Sequence, residues 1–262
     1  MSLLKNFKHS ASSTNKFVNV PQLFVADKIM GIKQPYGDAA IRGNVAEPLA
    51  RYLMARDVTG EQALDFATKK WEKMGAQDKT ELRFAYDCAY LIAEELQSRQ
   101  LKRPEKYQER VFNDGKEFGL KYGIHGFMDF SYFKNVPMPL VIDIKTTKRV
   151  PSSLESAMQM NPSHFLQQSL YWKLTGQNRK FALLYVSNKK TNYLEISENY
   201  LEEGWKIIYH NMKLIERVDD MCKSKADWLL SFPYPDLSSF YFSDKKFKEQ
   251  ITKLYEGVLN NG

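Results

Sequence analysis

An acid and an amine interrupt an otherwise apolar segment near the middle of the chain. The segment Leu140–Thr146 has the sequence Leu-Val-Ile-Asp-Ile-Lys-Thr, and this composition predicts a buried strand. Asp143 and Lys145 are two residues apart, so in a strand their side chains share one face. Charged side chains are costly there unless they pair, bind a metal ion or line a cleft. A plain ion pair and a catalytic site are therefore both open at this point.

Two further carboxylates lie in elements that could meet this strand. Asp129 is in the preceding predicted strand, and a hairpin can bring it beside Asp143. Two acids so placed repel each other unless a cation lies between them. Glu47 opens a helix predicted for Asn44 to Arg56, with Pro48 at an early helical position. An acid there can point at a site beside the sheet, although an ordinary first-turn glutamate has the same pattern.

The spacing of apolar residues, which predicts the elements that position these side chains, changes near Pro104. Before it, apolar residues recur at threes and fours and predict helices, whereas after it short β-branched or aromatic segments predict strands. The predicted helices are 10–31, 44–56, 61–74, 79–101, 161–175, 198–223 and 244–259. The predicted strands are 107–113, 116–122, 124–133 and 140–146, forming a four-stranded meander, followed by 180–187 and 192–196.

This order predicts an α/β (α+β) fold with a central mixed β-sheet flanked by helices. With 262 residues, the chain is long enough for one well-filled domain. Within it we expect a mainly helical lobe over 10–103, a sheet and helix carrying the chemistry over 104–197, and C-terminal helices of open role over 198–262.

Composition excludes several classes of site. Two cysteines, Cys88 and Cys222, are too few for a four-thiolate zinc site or an iron–sulfur cluster. Four histidines at 9, 125, 164 and 210 show no paired ligand spacing, so we expect any metal to be held by oxygen, as Mg²⁺ or Mn²⁺ are. His125 and His164 are near the acids in sequence, and a structural role is the stronger expectation for both. No apolar run is long enough to span a bilayer, and residues 1–13 lack a signal-peptide pattern. We therefore expect a cytoplasmic protein without a membrane partner.

Positive charge is concentrated in one stretch. The formal net charge is +7 and the pI is about 9.1, which favours an anionic partner. Residues 134–195 hold nine Lys and Arg against three Asp and Glu, whereas 46–100 hold eight against ten. Within the basic stretch, Lys148, Arg149, Lys189 and Lys190 are candidate contacts to a nucleic-acid backbone, although basic turns are also commonly just solvated.

Four short segments, in order, resemble the motifs of the PD-(D/E)xK nuclease superfamily, and most closely its RecB-type and phage-type exonuclease branch. They are Arg42–Glu47, Gly126–Asp129, Ile142–Thr146 and Gln167–Tyr171. The resemblance covers about Ser10 to Ile196, including an opening helix with Pro21. Two departures matter. Many members have a cysteine where this chain has Val20 and three more near the C-terminus, so no iron–sulfur cluster is expected, and many have a histidine at the position of Glu47.

The resemblance implies a restriction-endonuclease-like core and metal-dependent hydrolysis of DNA. Glu47, Asp129, Asp143 and the backbone carbonyl of Ile144 would hold Mg²⁺ or Mn²⁺, and Lys145 would orient water or stabilise charge on the phosphate. Gln167 and Tyr171 are four residues apart on a helix, so both can face one groove and hydrogen-bond phosphate oxygens.

Three functions remain open from the sequence. The first is an exonuclease of DNA replication, recombination or repair, with DNA and a recombination or replication protein as partners. The second is a sequence-specific or structure-specific endonuclease of the same superfamily. The third is a DNA-binding module that has lost turnover; the intact set of three acids and one lysine argues against it, because binding alone would gain from fewer negative charges beside a polyanion.

Overall fold

The computed structural model describes residues 2–35, 37–55, 58–75 and 78–259. Most of its helices have the order and bounds that apolar periodicity predicts, but the helix predicted for 10–31 is broken at Val20, and the helices Leu154–Met160 and Lys225–Leu230 were not predicted. The α-helices are α1 (Ala11–Asn19), α2 (Pro21–Phe24), α3 (Asp38–Leu53), α4 (Gly60–Lys73), α5 (Lys79–Ser98), α6 (Leu154–Met160), α7 (Pro162–Leu174), α8 (Glu198–Met221), α9 (Lys225–Leu230) and α10 (Lys245–Leu259). A π-helical segment, Val25–Ile29, follows α2, and short 3-10 helices span Lys116–Phe118 and Phe240–Phe242.

The described residues form one mixed sheet of six strands, and a mixed sheet flanked by helices is what the sequence predicts, although β1 is not among the predicted strands. The strands are β1 (Lys8–His9), β2 (Lys106–Asn113), β3 (Gly123–Tyr132), β4 (Leu140–Thr146), β5 (Lys180–Val186) and β6 (Thr191–Ile196). The order is β1-β3-β4-β5-β6, and β2 also pairs with β3. β3 and β4 are antiparallel, β4 and β5 parallel, and β5 and β6 antiparallel. The crossover between parallel β4 and β5 contains α6 and α7.

The chain divides into two compact units. Unit 1 comprises 1–35, 112–126 and 205–262, and unit 2 comprises 36–111 and 127–204. In unit 2, small and apolar residues of α3, α4 and α5 pack on β4 and β5, with Ala46, Ala89 and Leu184 fully buried. In unit 1, α1, α2, α8, α9 and α10 contribute to a separate apolar core around Phe24 and Trp228.

Helix α3 begins earlier than the sequence predicts, and this changes the setting of Glu47. The helix starts at Asp38 after Gly37, so Glu47 lies in its interior and not in its first turn, and Pro48 is an internal proline. Proline normally stops a helix because it lacks an N–H and its ring clashes with the preceding turn. Here the packing of α3 on α5 and β4 outweighs that local cost. The predicted end of this helix at Arg56 lies outside the described residues.

The strand predicted for 116–122 is wrong. The segment forms a 3-10 turn flanked by Gly115 (φ 84°) and Gly119 (φ 65°), both left-handed. A Cβ at Gly115 would collide with the carbonyl oxygen of Tyr122, so the chain folds back tightly there. The aromatic residues Phe118 and Tyr122 favour a strand, but the two glycines reverse the chain.

Within the described residues, no helix combines the length and the apolar composition needed to cross a bilayer. Both cysteines are buried free thiols. Of the aromatic residues in the loop 232–242, Phe242 is buried in the core of unit 1, whereas Phe240 is largely exposed.

Gly204 allows α8 to approach α7 closely within unit 2. A Cβ at this position would collide with Ser169 Oγ and would come within 2.8 Å of Phe165 Cε1. Alanine normally stabilises a helix interior relative to glycine by about 1 kcal/mol. We expect Gly204→Ala instead to lower the free energy of unfolding by about 1–3 kcal/mol, because overpacking outweighs propensity. Urea denaturation measures this.

Gly257 on α10 is the matched control, because an added methyl group there meets no atom within 4 Å. Gly257→Ala should be neutral or stabilising by up to about 1 kcal/mol. Equal effects of the two substitutions would show that the α7–α8 approach does not depend on the missing side chain.

Candidate active site

Asp129 and Asp143 face each other on neighbouring strands. In the antiparallel pair β3–β4, Phe130 is opposite Ile142, and the same register continued by one residue places Asp129 opposite Asp143. The two aspartates are 8% and 0% exposed. The backbone N–H of Ile144 donates a hydrogen bond of 3.0 Å to Asp129 Oδ2, which ties the carboxylate of one strand to the other. The two acids therefore share one face of the sheet.

Lys145 connects this pair to helix α7. Its Nζ lies 2.5 Å from Asp143 Oδ2 and donates a hydrogen bond of 3.0 Å to Gln167 Oε1. Gln167 Nε2 in turn donates to the hydroxyl of Tyr171 at 2.8 Å, across one helical turn. Burial alone would lower the pKa of Lys145, but the charges of Asp143 and Asp129 raise it, so the amine stays protonated. The Asn161 cap and Pro162 start α7 in the phase that presents both Gln167 and Tyr171 to the lysine.

Glu47 reaches the cluster through a residue that the sequence did not indicate. Gln108, on β2, donates a hydrogen bond of 2.9 Å to Asp129 Oδ1, and the same Nε2 lies 3.4 Å from Glu47 Oε2. The backbone of Gln108 has φ 52°, a left-handed conformation that disfavours any residue with a side chain. Glutamine has no ionisable group and follows no recognisable spacing here, so only the backbone geometry and the shared amide reveal it.

Burial and the charges of neighbouring acids raise the pKa values of Asp129 and Glu47. Burial, followed by the charge of Asp143, raises the pKa of Asp129 to about 7, although Lys145 opposes this shift. Burial and the charge of Asp129 raise the pKa of Glu47 well above its usual range. One lysine and one amide thus do not offset three carboxylates completely, and the cluster favours an additional positive charge.

The donor atoms suit a hard divalent cation in their chemistry. Both carboxylate oxygens of Asp143 are buried and accept no properly oriented hydrogen bond from the described residues, although Lys145 lies close to one of them. Carboxylate and carbonyl oxygens are the ligands that Mg²⁺ and Mn²⁺ prefer. Within the described ranges, however, no group of three or more His, Cys, Asp or Glu is arranged so that it could hold a metal ion. Gln108 and Lys145 contact the same oxygens that an ion would need.

The four predicted basic contacts lie beyond one end of the sheet. Parallel strands β4 and β5 end at the paired residues Thr146 and Val186. Lys148 and Arg149 follow the first strand and Lys189 and Lys190 follow the second, and all four are exposed. Lys148 Nζ lies 2.8 Å from Glu81 Oε1, whose other oxygen contacts Arg42, so this lysine is partly neutralised.

His164 has a structural environment. Its Nδ1 lies 2.9 Å from the hydroxyl of Tyr185, and its Nε2 lies 3.0 Å from Asn161 Nδ2. Burial, reinforced by the charge of Lys145, lowers the pKa of His164 to about 3. The ring is therefore neutral at physiological pH and orients the start of α7. His125 lies on β3, four residues before Asp129.

Fold and site together define a mixed α/β protein with a buried carboxylate–lysine cluster on its central strands. Among solved structures, the chain is similar to a protein of Eubacterium rectale described as a "putative exonuclease", with a TM-score of 0.54 and 16% identity over 82% of each chain. At that identity the likeness shows the fold. The structure of SSO0001 aligns with 69% of this chain and 95% of its own at 12% identity, with a TM-score of 0.31. No protein-family profile and no curated protein sequence matches the chain.

The amide of Gln108 can be tested as the donor shared by two carboxylates. In metal-free buffer at pH 8, we expect Gln108→Glu to lower the free energy of unfolding by about 1–3 kcal/mol, since a charge-assisted hydrogen bond is replaced by repulsion. Gln108→Ala should lower the free energy of unfolding by less, because it removes the hydrogen-bond donor without adding a charge. Gln97→Glu, at an exposed position of α5, should change stability by at most about 0.5 kcal/mol. Wild-type stability of Gln108→Glu would contradict the bridging role.

His164 predicts a pH dependence of stability. A histidine with a folded-state pKa near 3 and an unfolded pKa near 6.5 stays neutral in the folded protein while the unfolded chain takes up protons, so stability falls as pH drops through 6.5 toward 3. Between pH 7 and pH 5 the loss from this group is about 2 kcal/mol. We expect His164→Gln to lose that much less than wild type over the same interval in urea unfolding. Parallel pH profiles for the two proteins would contradict the assignment.

Proposed function

We propose that this protein is a metal-dependent DNA nuclease. The observation that carries the proposal is the convergence of Asp129, Asp143 and Lys145 on one face of two adjacent strands, with Glu47 joined to them through Gln108. Its support from outside the site is the shared fold with a protein whose description names an exonuclease. The charge of the chain, +7, agrees with a polyanionic substrate.

Each side chain of the cluster has a distinct role in this proposal. Glu47, Asp129, Asp143 and the carbonyl of Ile144 would hold one or two Mg²⁺ or Mn²⁺ ions, which requires Gln108 and Lys145 to leave the carboxylate oxygens that they contact. Such an ion, when bound, polarises a phosphodiester and lowers the pKa of a water molecule. The ammonium of Lys145 stabilises negative charge on the phosphate, because it is kept protonated beside Asp143.

Gln167 and Tyr171 act on that lysine and on the substrate. Gln167 accepts a hydrogen bond from Lys145 and donates one to Tyr171, so the three side chains form a continuous row. Gln167 therefore fixes the direction of the ammonium, and the hydroxyl of Tyr171 is left able to donate to a phosphate oxygen. The exposed Lys148, Arg149, Lys189 and Lys190 would contact the DNA backbone where it leaves the site.

We propose exonuclease activity as the mode of cleavage, in DNA replication, recombination or repair within the cytoplasm. The name given to the Eubacterium rectale protein supports this choice over an endonuclease. Covalently closed circular DNA separates the two: an exonuclease leaves circles intact and degrades the linearised form, whereas an endonuclease cuts both.

The nuclease proposal predicts metal-dependent loss of end-labelled DNA, single- or double-stranded. EDTA should abolish the loss, and added Mg²⁺ or Mn²⁺ should restore it. Asp143→Asn and Lys145→Ala should each lower the rate by about 10²–10³-fold, the range expected when one charged group at the reacting phosphate is removed.

Lys180→Ala removes the same charge from an exposed position at the start of β5 and should retain wild-type rates. Wild-type cleavage by Lys145→Ala, or intact DNA with every metal tested, would overturn the proposal. Intact DNA that is still bound by the wild-type protein would assign it as a DNA-binding module instead.

A further inference from the structure

A basic cavity lies between α3 and α4 within unit 2. It has a volume of about 810 Å³, and α4 supplies Lys69, Lys70 and Lys73 to its wall. Lys69 forms an ion pair with Asp65, which also lines the cavity, whereas Lys70 and Lys73 form no ion pair with an acid of the described residues. The cavity wall therefore carries a net positive charge on one face of one helix.

The apolar part of this cavity is an aromatic pair. The rings of Tyr52 on α3 and Phe66 on α4 are stacked, with centroids 5.1 Å apart and planes 14° from parallel. Both residues are half-buried and line the cavity. A positively charged wall beside an aromatic surface is the combination by which proteins bind unpaired nucleotides, since lysines contact the phosphates and rings stack on the bases.

The cavity is next to the carboxylate cluster. Asn44 lines it and precedes Glu47 by three residues on α3, which places both on adjacent positions of one helix face. A strand held in the cavity would thus pass directly beside the acids.

We propose that this cavity binds a single-stranded segment of the DNA substrate, with Lys70 and Lys73 on its phosphates and a base against the Tyr52–Phe66 pair. The inference rests on the proposed nuclease function and adds to it the form of substrate that approaches the site. A cavity of this volume is in the range that encloses a small ligand. It accommodates a few nucleotides of a single strand. In a duplex the bases are paired and stacked inside the helix, so none is available to stack on the rings of Tyr52 and Phe66.

The test measures binding without cleavage. Fluorescently labelled single-stranded and duplex DNA of one sequence are titrated in EDTA at several salt concentrations. Lys70→Ala/Lys73→Ala should weaken single-strand binding by about tenfold and reduce the slope of log affinity against log salt by about 1.4, since each phosphate contact on a single strand contributes about 0.7. Duplex binding should change less.

Two comparisons sharpen the result. Lys102→Ala/Lys134→Ala removes the same charge from exposed positions outside the cavity and should leave the salt slope unchanged. Phe66→Leu keeps the position apolar but removes the ring, and should weaken single-strand binding about fivefold with no change in slope. Thermal melting of each variant checks its folding. A single-stranded RNA of the same sequence should bind with similar affinity if the cavity contacts only phosphates and bases and not the sugar. A free mononucleotide should compete only weakly, because it makes fewer phosphate contacts.

The inference fails if the control pair reduces the salt slope as much as the cavity pair, or if Lys70→Ala/Lys73→Ala binds single strands like wild type. Preferential loss of duplex binding would also overturn it. Cleavage assays with Mg²⁺ separate this result from the proposed function. If the wild type binds single strands through these lysines but never cleaves DNA, the cavity is confirmed as a binding site and the nuclease proposal is wrong. If the wild type cleaves DNA and Lys70→Ala/Lys73→Ala binds single strands like wild type, the nuclease proposal stands and the cavity inference is wrong.

Discussion

Repulsion between two buried carboxylates on facing strand positions is the constraint around which unit 2 is arranged. Burial, followed by the charge of Asp143, raises the pKa of Asp129 to about 7. Three nearby groups offset the charge: the ammonium of Lys145, the backbone N–H of Ile144 and the amide of Gln108. A sheet selected for stability alone would place apolar residues at both positions, because well-packed apolar groups commonly match or exceed a buried charged cluster in stability.

The sheet order makes this arrangement possible because β4 is flanked by β3 on one side and β5 on the other. The antiparallel neighbour supplies the facing acid, and the crossover to the parallel neighbour supplies α7 with Gln167. Helix α3 then has to approach the same strand for Glu47 to join. A Cβ at Gly43 would lie 3.6 Å from Glu47 Oε1 and 3.7 Å from Thr146 Oγ1, which are ordinary van der Waals distances, so this part of α3 lies beside the end of β4.

The elements that the sequence predicted well are those with a strong local pattern. Leu140–Thr146 is apolar apart from the acid and the amine, and its predicted bounds equal those of β4. Features that depend on long-range packing were not predictable. An internal proline in α3 is tolerated only because α5 and β4 hold the helix, and two left-handed glycines turn 116–122 away from a strand. Gln108 belongs to the site through a left-handed backbone and a shared amide, neither of which has a local sequence signature. The two units also interleave along the chain, so consecutive segments do not delimit them.

The electrostatics of α4 show why charge has to be assessed on surfaces and not in sequence windows. Residues 46–100 hold more acids than bases, and by that count the region is unsuited to a polyanion. In a helix, residues three and four positions apart lie on the same face, so acidic and basic residues of one segment can lie on different faces. Lys69, Lys70 and Lys73 fall on the wall of the cavity with Asp65 as the one acid among its lining residues within the described part of the chain, while Glu61 and Glu72 do not line it. A locally positive surface therefore arises in a segment of negative balance, close to a cluster of acids whose own charge would otherwise repel a nucleic-acid backbone.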